Sequence, residues 1–404
     1  MAAFRRVLAA ELVSNFGSML TGLVIPWIAT LTLAATPFEM GLLLTADVAA
    51  GAAGALLLGA LVDRASLRAV MIGADLLRAA LIAALALAAW QGWISLALLL
   101  FAAAATGLAT MAFELARSAW VARSTPAPLL ATRNAQLSAA GSATESASFG
   151  VGGWLYQGLG GAMSLAIDAA SYLLSALFLA RLAEPPRAAA DEAARTLRGL
   201  AGEARAGLAT LAATPSLRAL AAIHGIVALA MALTGTSYMI YVARDLALDP
   251  GVLGMIFAVG GGGALLGAAV APWLGRRVGG RAALAAGVAV LAAGSVLIPL
   301  ASGAGAFAIG LLVGHQLIGD AGHVVHEIHD RTLRQTLAPA DRLARIDAGI
   351  RGIGQAATLA GALGGGLLAT AIGARAALAI ACGLLALAAV VAAFRLGNGA
   401  EPSR

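Results

Sequence analysis

The sequence predicts an all-α integral membrane protein of about twelve transmembrane helices, arranged as two pseudo-symmetric halves of six. Composition is the first reason, because 61% of the 404 residues are hydrophobic, only 11% are charged, and the mean hydropathy is +0.90. A soluble protein has about a quarter of its residues charged, which is what covering its surface with polar groups requires. The solvent of this chain must therefore be lipid.

The second reason is a series of apolar runs, each long enough for a spanning helix of roughly 20 residues. In the first half the runs cover about 8–34, 39–62, 69–90, 94–116, 134–158 and 162–182. In the second half they cover about 217–242, 251–274, 281–301, 304–328, 346–371 and 374–395. The first run is long enough to remain as a spanning helix, so we expect no cleaved signal peptide.

Arginine supplies all 26 basic residues and is concentrated in alternate connections between these runs. These connections lie at 64–68, 117–133, 181–218, 276–281 and 331–351. The opposite connections hold little beyond Arg244 and Arg375. By the positive-inside rule, both termini and the middle of the chain are cytoplasmic. We therefore expect a multi-pass protein of the bacterial plasma (inner) membrane.

The middle segment, 183–216, is the one clear change of composition. Pro185 and Pro186 end helix six, and 191–213 then shows a leucine stripe beside charged residues. This pattern predicts an amphipathic helix on the cytoplasmic membrane face. The segment would link an N-terminal half, residues 1–182, to a C-terminal half, residues 217–404.

The third reason for the predicted fold is that the halves repeat each other. Arg123 to Pro126, followed by Arg133-Asn134-Ala135, precede helix five. A similar stretch, 334–339 followed by 345–348, precedes helix eleven. Two related halves of six helices are typical of alternating-access carriers, whose substrate site lies near the midplane between the halves.

A charged turn joins helices two and three, where Gly59, Asp63, Arg64 and Arg68 lie between two apolar runs. The glycine would allow the helices to approach closely, and the charges could lock one conformation. The segment 267–281 after helix eight keeps the arginines but has no acid. Only the first copy can therefore form a charged latch.

The pattern Gly-x-x-x-Asp-Arg-x-x-x-Arg in this turn, the twelve helices and the repeated halves resemble the major facilitator superfamily. Finer motifs resemble its exporter subgroup, which includes macrolide, multidrug and siderophore efflux proteins; they lie at 14–18, 25–26, 74–79, 167–172 and 319–335. The resemblance implies export of a small molecule by alternating access, coupled to protons. The glycine-rich stretch 148–153 departs from related antiporters because it lacks their Gly-Pro pair.

Asp47 in helix two and Glu145 in helix five are acids within apolar runs. Ionisable groups inside a membrane are costly, so each is a functional hypothesis. Because a low-dielectric surrounding disfavours a charged carboxylate, either group could take up a proton outside and release it inside. The alternative is a polar side chain that bonds a neighbouring helix or meets water in a cavity.

Helix ten holds a further cluster of ionisable residues, namely His315, Asp320, His323, His326, Glu327, His329 and Asp330. Asp320, His323, Glu327 and Asp330 share one helical face. We expect Asp320 and His323 to be candidates for proton or substrate binding. Binding of a divalent metal is a weaker alternative. The simplest interpretation is that the lower residues of this cluster are solvated at the cytoplasmic end of the helix. We assign no metal site.

A charge network is predicted near the latch. Asp75 and Arg78 are spaced i, i+3 on helix three and can pair on one face, and Glu114 and Arg117 offer further partners at the end of helix four. The functional interpretation is a gate that holds the cytoplasmic side closed. The alternative is a structural network that fixes helix register.

Side chains for a substrate cavity are expected on helices one and seven, which line the cavity in the resembling superfamily. The candidates are Asn15, Ser18, Trp27, Tyr238 and Tyr241. Aromatic residues also pack in cores or anchor helices at the membrane interface, and this alternative stays open.

No phosphate-binding Gly-x-x-x-x-Gly-Lys loop is present, so we expect neither ATP hydrolysis nor any other enzymatic activity. We expect no cofactor, no nucleic-acid partner and a monomer in the lipid bilayer. The predicted function is secondary active, proton-coupled efflux of an amphipathic small molecule. The alternatives are a proton-coupled uptake carrier, or a non-transporting sensor or assembly protein built on the carrier fold.

Overall fold

The computed structural model describes residues 2–185, 209–339 and 342–397. In the first half the helices are α1 (Ala2–Trp27), extended by a π-helical turn (Ile28–Thr32), α2 (Pro37–Arg64), α3 (Leu67–Gln91) and α4 (Leu96–Ser124). A helical run from Ala127 to Ala180 follows, and non-helical dihedrals at Gly160 divide it into α5 (127–159) and α6 (161–180).

In the second half the helices are α7 (Pro215–Ile240), extended by a π-helical turn (Tyr241–Asp245), α8 (Pro250–Val278), α9 (Gly280–Leu300), α10 (Ala306–Leu337), α11 (Leu343–Ile372) and α12 (Ala374–Gly397). The predicted all-α fold of twelve helices is confirmed. Among the described residues, ten helical stretches are long and apolar enough to cross a membrane, with α5 and α6 taken together.

Helix ends differ from the prediction mainly at the side where arginine is concentrated. The last turns of α10 reach Leu337, and α5 begins at Ala127, several residues outside the apolar runs. Charged and polar residues continue these helices because the backbone hydrogen-bond ladder does not need an apolar side chain. The amphipathic helix predicted for 191–213 lies outside the described residues except for 209–213, which are helical.

The described residues form two compact units. One contains α1 to α6 together with Leu248–Ala258, and the other contains α7, the rest of α8 and α9 to α12. In the first unit α1 packs along the Ala127–Ala180 run, and α4 packs against α2 and α3. In the second unit α10 packs on α9, and α7 packs on α11 and α12. Each unit thus buries its own apolar core.

The two units share two pairs of irregular backbone positions. Two residues after each π-helical turn an alanine has positive φ, Ala34 (51°) and Ala247 (52°), and the next helix then starts at a proline. Gly160 and Gly373 have positive φ where α6 and α12 begin. Each matching pair is 213 positions apart, from 34 to 247 and from 160 to 373. The internal repeat therefore has one register, in which residue i corresponds to residue i+213.

This register corrects how the charged turn was matched to the second half. Gly267, assigned above to the second copy of the turn, corresponds to Gly54. Gly59 corresponds instead to Pro272. Arg276 stands at the position of Asp63. The second copy has therefore not only lost the acid but carries the opposite charge there.

Gly160 is predicted to be intolerant of any side chain. Its φ of 78° and ψ of 170° lie in a region that only glycine adopts readily. Gly160→Ala should therefore destabilise the protein by about 1–3 kcal/mol, read as a lower midpoint of thermal unfolding in detergent. Gly158→Ala is the matched control, because Gly158 is helical, exposed and has open space around it. Equal midpoints for the two variants would contradict this account.

Candidate functional site

A buried ion pair within α3 of the first unit is bonded to α6. The Nη2 atom of Arg78 lies 2.5 Å from Oδ1 of Asp75, and the two residues are 3% and 0% exposed. The hydroxyl of Ser175 donates to the other carboxylate oxygen of Asp75 at 2.7 Å. Asp75 and Arg78 thus form the pair that their spacing predicts, and Ser175 completes the hydrogen bonding of the carboxylate.

The guanidinium of Arg78 is also held between two aromatic rings. Its central carbon lies 4.7 Å from the ring centroid of Phe113 on α4 and 4.4 Å from that of Tyr172 on α6. A desolvated cation between two ring faces is favourable. The hydroxyl of Tyr172 lies 2.8 Å from that of Ser18 on α1. One arginine therefore connects four helices of this unit.

A second buried carboxylate, that of Asp168 on α6, was not among the predicted site residues. The hydroxyl of Thr21 donates to its Oδ2 at 2.5 Å, and the hydroxyl of Ser171 donates to its Oδ1 at 3.1 Å. Gly17 leaves room for this group, because a Cβ there would overlap Asp168 and Ser171. An acid within an apolar run was the sequence signal, but it was noted only as part of a motif.

Arg117 pairs with Glu11 on α1. Glu114, the predicted neighbour in this part of the network, is exposed instead. The ion-pair partner of Arg117 is therefore Glu11 on α1 rather than Glu114, although residues three apart on a helix can share a face. Glu11 was missed because 106 positions separate it from Arg117.

The segment that follows α6 binds the charged turn through hydrogen bonds. Gly59, Asp63 and Arg64 lie in the last turns of α2, and their side chains are outside the described set. The carboxylate of Glu184 accepts hydrogen bonds from the backbone amides of Leu67 (2.6 Å) and Arg68 (3.1 Å). It also accepts one from the hydroxyl of Ser66 at 2.8 Å.

Glu184 therefore caps the N-terminus of α3, where backbone amides are free and the helix dipole favours an anion. The segment before it is held by two further bonds. Arg6 donates to the carbonyl of Arg181 at 2.5 Å, and the indole of Trp120 donates to the carbonyl of Ala183 at 3.0 Å. The turn after α2 is thus tied to α1, α4 and α6.

Asp47 and Asp320 occupy related places in the two units. Asp47 on α2 is exposed and lies beside Gly107 on α4, where a Cβ would come within 3.0 Å of its Oδ1. Asp320 on α10 is half-buried and lies beside Gly260 on α8, where a Cβ would overlap its Oδ2. In the repeat register Asp47 corresponds to Gly260, and Gly107 corresponds to Asp320. At this place each unit therefore has one acid against one glycine, carried on opposite helices.

The other predicted proton-coupling residues are not brought to these two acid–glycine places. Glu145 on α5 is exposed and forms no ion pair among the described residues. His323 on α10 is half-buried, and its Nδ1 is a buried atom with no hydrogen-bond partner among the described residues. The helix-ten face also differs from the prediction, since Glu327 is exposed whereas His326 and Asp330 are buried.

Two of the predicted cavity residues, Trp27 and Tyr241, are packed in the protein core. Trp27 is 1% exposed and stacks on Tyr156 with ring centroids 6.0 Å apart. Tyr241 is 2% exposed, and its hydroxyl donates to the carbonyl of Ala301. Both lie at the π-helical turns, where a bulky side chain fills the space that the widened helix leaves.

The remaining cavity candidates are polar groups with local partners. The amide of Asn15 donates to the hydroxyl of Thr144 on α5 at 2.7 Å. Ser18 donates to the carbonyl of Ser14 at 2.7 Å. Tyr238 is buried, with its ring centroid 6.3 Å from that of His315. Asn15 and Ser18 are half-buried, whereas Tyr238 is buried.

A family model for the Major Facilitator Superfamily matches residues 7–326. The comparison with curated protein sequences gives no match.

Solved structures share the fold over almost the whole chain. The nucleoside transporter NupG has a TM-score of 0.80 at 13% identity, covering 99% of this chain and 100% of that one. A bacterial homologue of the iron transporter ferroportin, inward-facing, has 0.77 at 16%, covering 98% and 99%. A bacterial homologue of the human lysosomal transporter Spinster, inward-facing and unoccupied, has 0.75 at 14%, covering 99% and 98%. Because these identities are low and the printed cargoes differ, the likeness concerns the fold alone.

The buried pair in α3 generates a prediction about stability. Removing one partner of a buried ion pair leaves an uncompensated charge and costs about 3–5 kcal/mol. Arg78→Leu should therefore unfold at a clearly lower temperature than the wild type. The second unit shows which apolar residues can replace the pair, because Val288 and Leu291 correspond to Asp75 and Arg78.

The double variant Asp75→Val/Arg78→Leu removes both charges. It should therefore regain at least half of the decrease in unfolding midpoint that Arg78→Leu causes. Scanning fluorimetry of the purified protein measures all three midpoints. A double variant less stable than Arg78→Leu alone would contradict the view that the lone carboxylate causes the loss.

Proposed function

The chain belongs to the Major Facilitator Superfamily, and we propose that it is a secondary active transporter that exports an amphipathic small molecule in exchange for protons. The superfamily and the fold support a carrier rather than an enzyme. The two repeated six-helix units support alternating access, in which such units rock around a shared site. The proposed membrane is the bacterial plasma membrane, with both termini cytoplasmic.

One observation carries the proton coupling, namely the equivalent places of Asp47 and Asp320. An acid within a membrane-spanning helix is costly and persists where it has a task. Here an acid lies against a glycine at the same place in each unit, although α2 carries it in one unit and α10 in the other. The place has therefore kept one carboxyl group in both halves of the repeat, while its neighbours have diverged.

The proposed chemistry is reversible protonation of these two carboxyl groups. A protonated carboxyl is neutral and costs less in a low-dielectric surrounding, whereas a carboxylate favours water or a cation. Protons would bind when the site is open to the outside and leave when it is open to the cytoplasm. Glu145, which is exposed, and His323, whose Nδ1 has no partner among the described residues, are the additional groups that could pass protons.

The proposed gate is the charged latch of Gly59, Asp63, Arg64 and Arg68. Glu184 supports it, because that carboxylate fixes the start of α3 directly after the turn. The cytoplasmic ends of α1, α4 and α6 are bound to the same segment. The turn would therefore move together with these helices rather than as a free loop, and the pairs Asp75–Arg78 and Glu11–Arg117 would keep them in register.

Export and the amphipathic substrate rest on the resemblance of the motifs at 14–18, 74–79, 167–172 and 319–335 to the exporter subgroup. Asn15 and Ser18, which are half-buried on α1, are the proposed polar contacts for the substrate. With Trp27 and Tyr241 packed in the core, fewer aromatic side chains remain for stacking on it than the sequence predicted.

The coupling is tested in proteoliposomes loaded with a pH-sensitive dye, using ethidium and erythromycin as amphipathic probes. A gradient of either probe should drive protons in the opposite direction through the wild type. Asp47→Asn and Asp320→Asn should each reduce this proton flux roughly tenfold or more, because an amide cannot exchange a proton. Glu114→Gln is the matched control, since Glu114 is an exposed acid outside both acid–glycine places.

Proton flux that persists in the double variant Asp47→Asn/Asp320→Asn would contradict the assignment of these acids. Protons moving in the same direction as the probe would contradict exchange and indicate symport. Movement of the probes without any proton flux in the wild type would contradict proton coupling itself.

A further inference from the structure

We propose that His224, His326 and Asp330 of the second unit form a binding site for a divalent transition-metal ion. One potential ligand atom from each of these residues lies within 4.8 Å of the other two. His326 and Asp330 are spaced i, i+4 on α10, which brings both to one face, and His224 faces them from α7. The inference does not depend on the proposed transport function.

The donor types suit such an ion. Two imidazoles and one carboxylate are common ligands of first-row divalent metals, with bonds of about 2.0–2.2 Å. The Nδ1 atom of His224 lies 3.5 Å from Oδ2 of Asp330. Ligand atoms of one metal at these bond lengths lie about 3–3.5 Å apart, so this pair already has a suitable spacing.

Unpartnered ligand atoms point to a ligand at this place. His326 and Asp330 are each 2% exposed. Among the described residues, Nδ1 of His326 and Oδ1 of Asp330 are buried and have no hydrogen-bond partner. Buried polar atoms in folded proteins almost always have a partner, and an ion or a water is the usual explanation when no protein atom serves. Both atoms belong to the residues that would bind the metal.

A cationic side chain already lies between two of the ligands. The Nη2 atom of Arg334 donates to Oδ2 of Asp330 and lies 3.2 Å from Nδ1 of His224. It thereby uses the lone pairs that a metal would need. Arg334 has another partner available, because its Nη1 donates to Asp347 at 3.0 Å. We infer that Arg334 and the metal compete, and that Arg334 keeps only Asp347 when the metal is bound.

Space exists for this exchange. A cavity of about 850 Å³ within the second unit is lined by His224, Asp330, Arg334, Asp347 and Arg351, among others. It gives an ion access to two of the three ligands and gives the guanidinium room to turn away. Gly354 on α11 leaves room for the His224 ring, because a Cβ there would lie 2.5 Å from its Nε2.

The repeat shows that this arrangement is particular to the second unit. The residues corresponding to His224, His326 and Asp330 are Glu11, Phe113 and Arg117, and Glu11 and Arg117 form a direct ion pair. The corresponding residue for Arg334 is Val121. The first unit therefore has an ion pair at this place, whereas the second unit has two imidazoles, one acid and an arginine.

The test is titration of the purified full-length protein, without a histidine tag, with Co²⁺ as the probe. Bound Co²⁺ gives visible d–d absorption that reports nitrogen and oxygen ligands. The wild type should show saturable bands. His326→Phe, which introduces the residue found at position 113, and Asp330→Asn should each weaken Co²⁺ binding by about tenfold or more.

Arg334→Gln should instead tighten Co²⁺ binding by about tenfold, because it removes the competing charge. This gain cannot result from misfolding, so it keeps the test decisive if a ligand variant is unstable. His315→Asn is the matched control, since His315 lies about three turns away on α10 and contacts the carbonyl of Gly294. It should bind Co²⁺ like the wild type.

Absence of saturable bands in both the wild type and Arg334→Gln would overturn the proposal. Unchanged affinity in His326→Phe, or loss of binding in His315→Asn, would overturn it as well, because the ion would then be bound elsewhere. Unchanged affinity in Arg334→Gln would overturn the competition with the guanidinium.

Discussion

A bilayer provides no water to stabilise a charge, and the arrangement of the first unit follows from this constraint. Asp75 is neutralised by Arg78, and the guanidinium is further held between Phe113 and Tyr172. These contacts join α1, α3, α4 and α6, so the cost of one buried charge fixes the register of four helices. Glu184 acts in the same way at the membrane surface, where it satisfies the free amides of α3.

Comparison of the two repeated units shows which of these structural features they have in common. Both units share the π-helical turns and the glycine before the last helix, because these positions set the path of the backbone. The charges are not shared. Val288 and Leu291 replace the buried pair of α3, and an imidazole and an acid replace the ion pair of Glu11 and Arg117. What both units keep is one acid against one glycine, which is why the coupling proposal rests there.

The fold followed from the sequence because apolar runs and arginine placement are properties of single segments. The contacts of the site could be predicted from the sequence only where the partners are close in the chain, as with Asp75 and Arg78. Glu11 and Arg117 were not matched because their contact depends on how α1 packs beside α4. The packing of Trp27 and Tyr241 could not be predicted, because an aromatic side chain suits a core and a cavity equally well. The repeat register could have been found by aligning Leu33-Ala34 and Pro37 with Leu246-Ala247 and Pro250.

Asp47 and Asp320 are proposed to exchange protons against the transported molecule. Proton release on binding of ethidium to the detergent-solubilised protein tests it most directly, read with an indicator dye in weak buffer. The wild type should release protons as the probe binds, and Asp47→Asn/Asp320→Asn should bind the probe without releasing them. Equal release by both proteins would contradict the account.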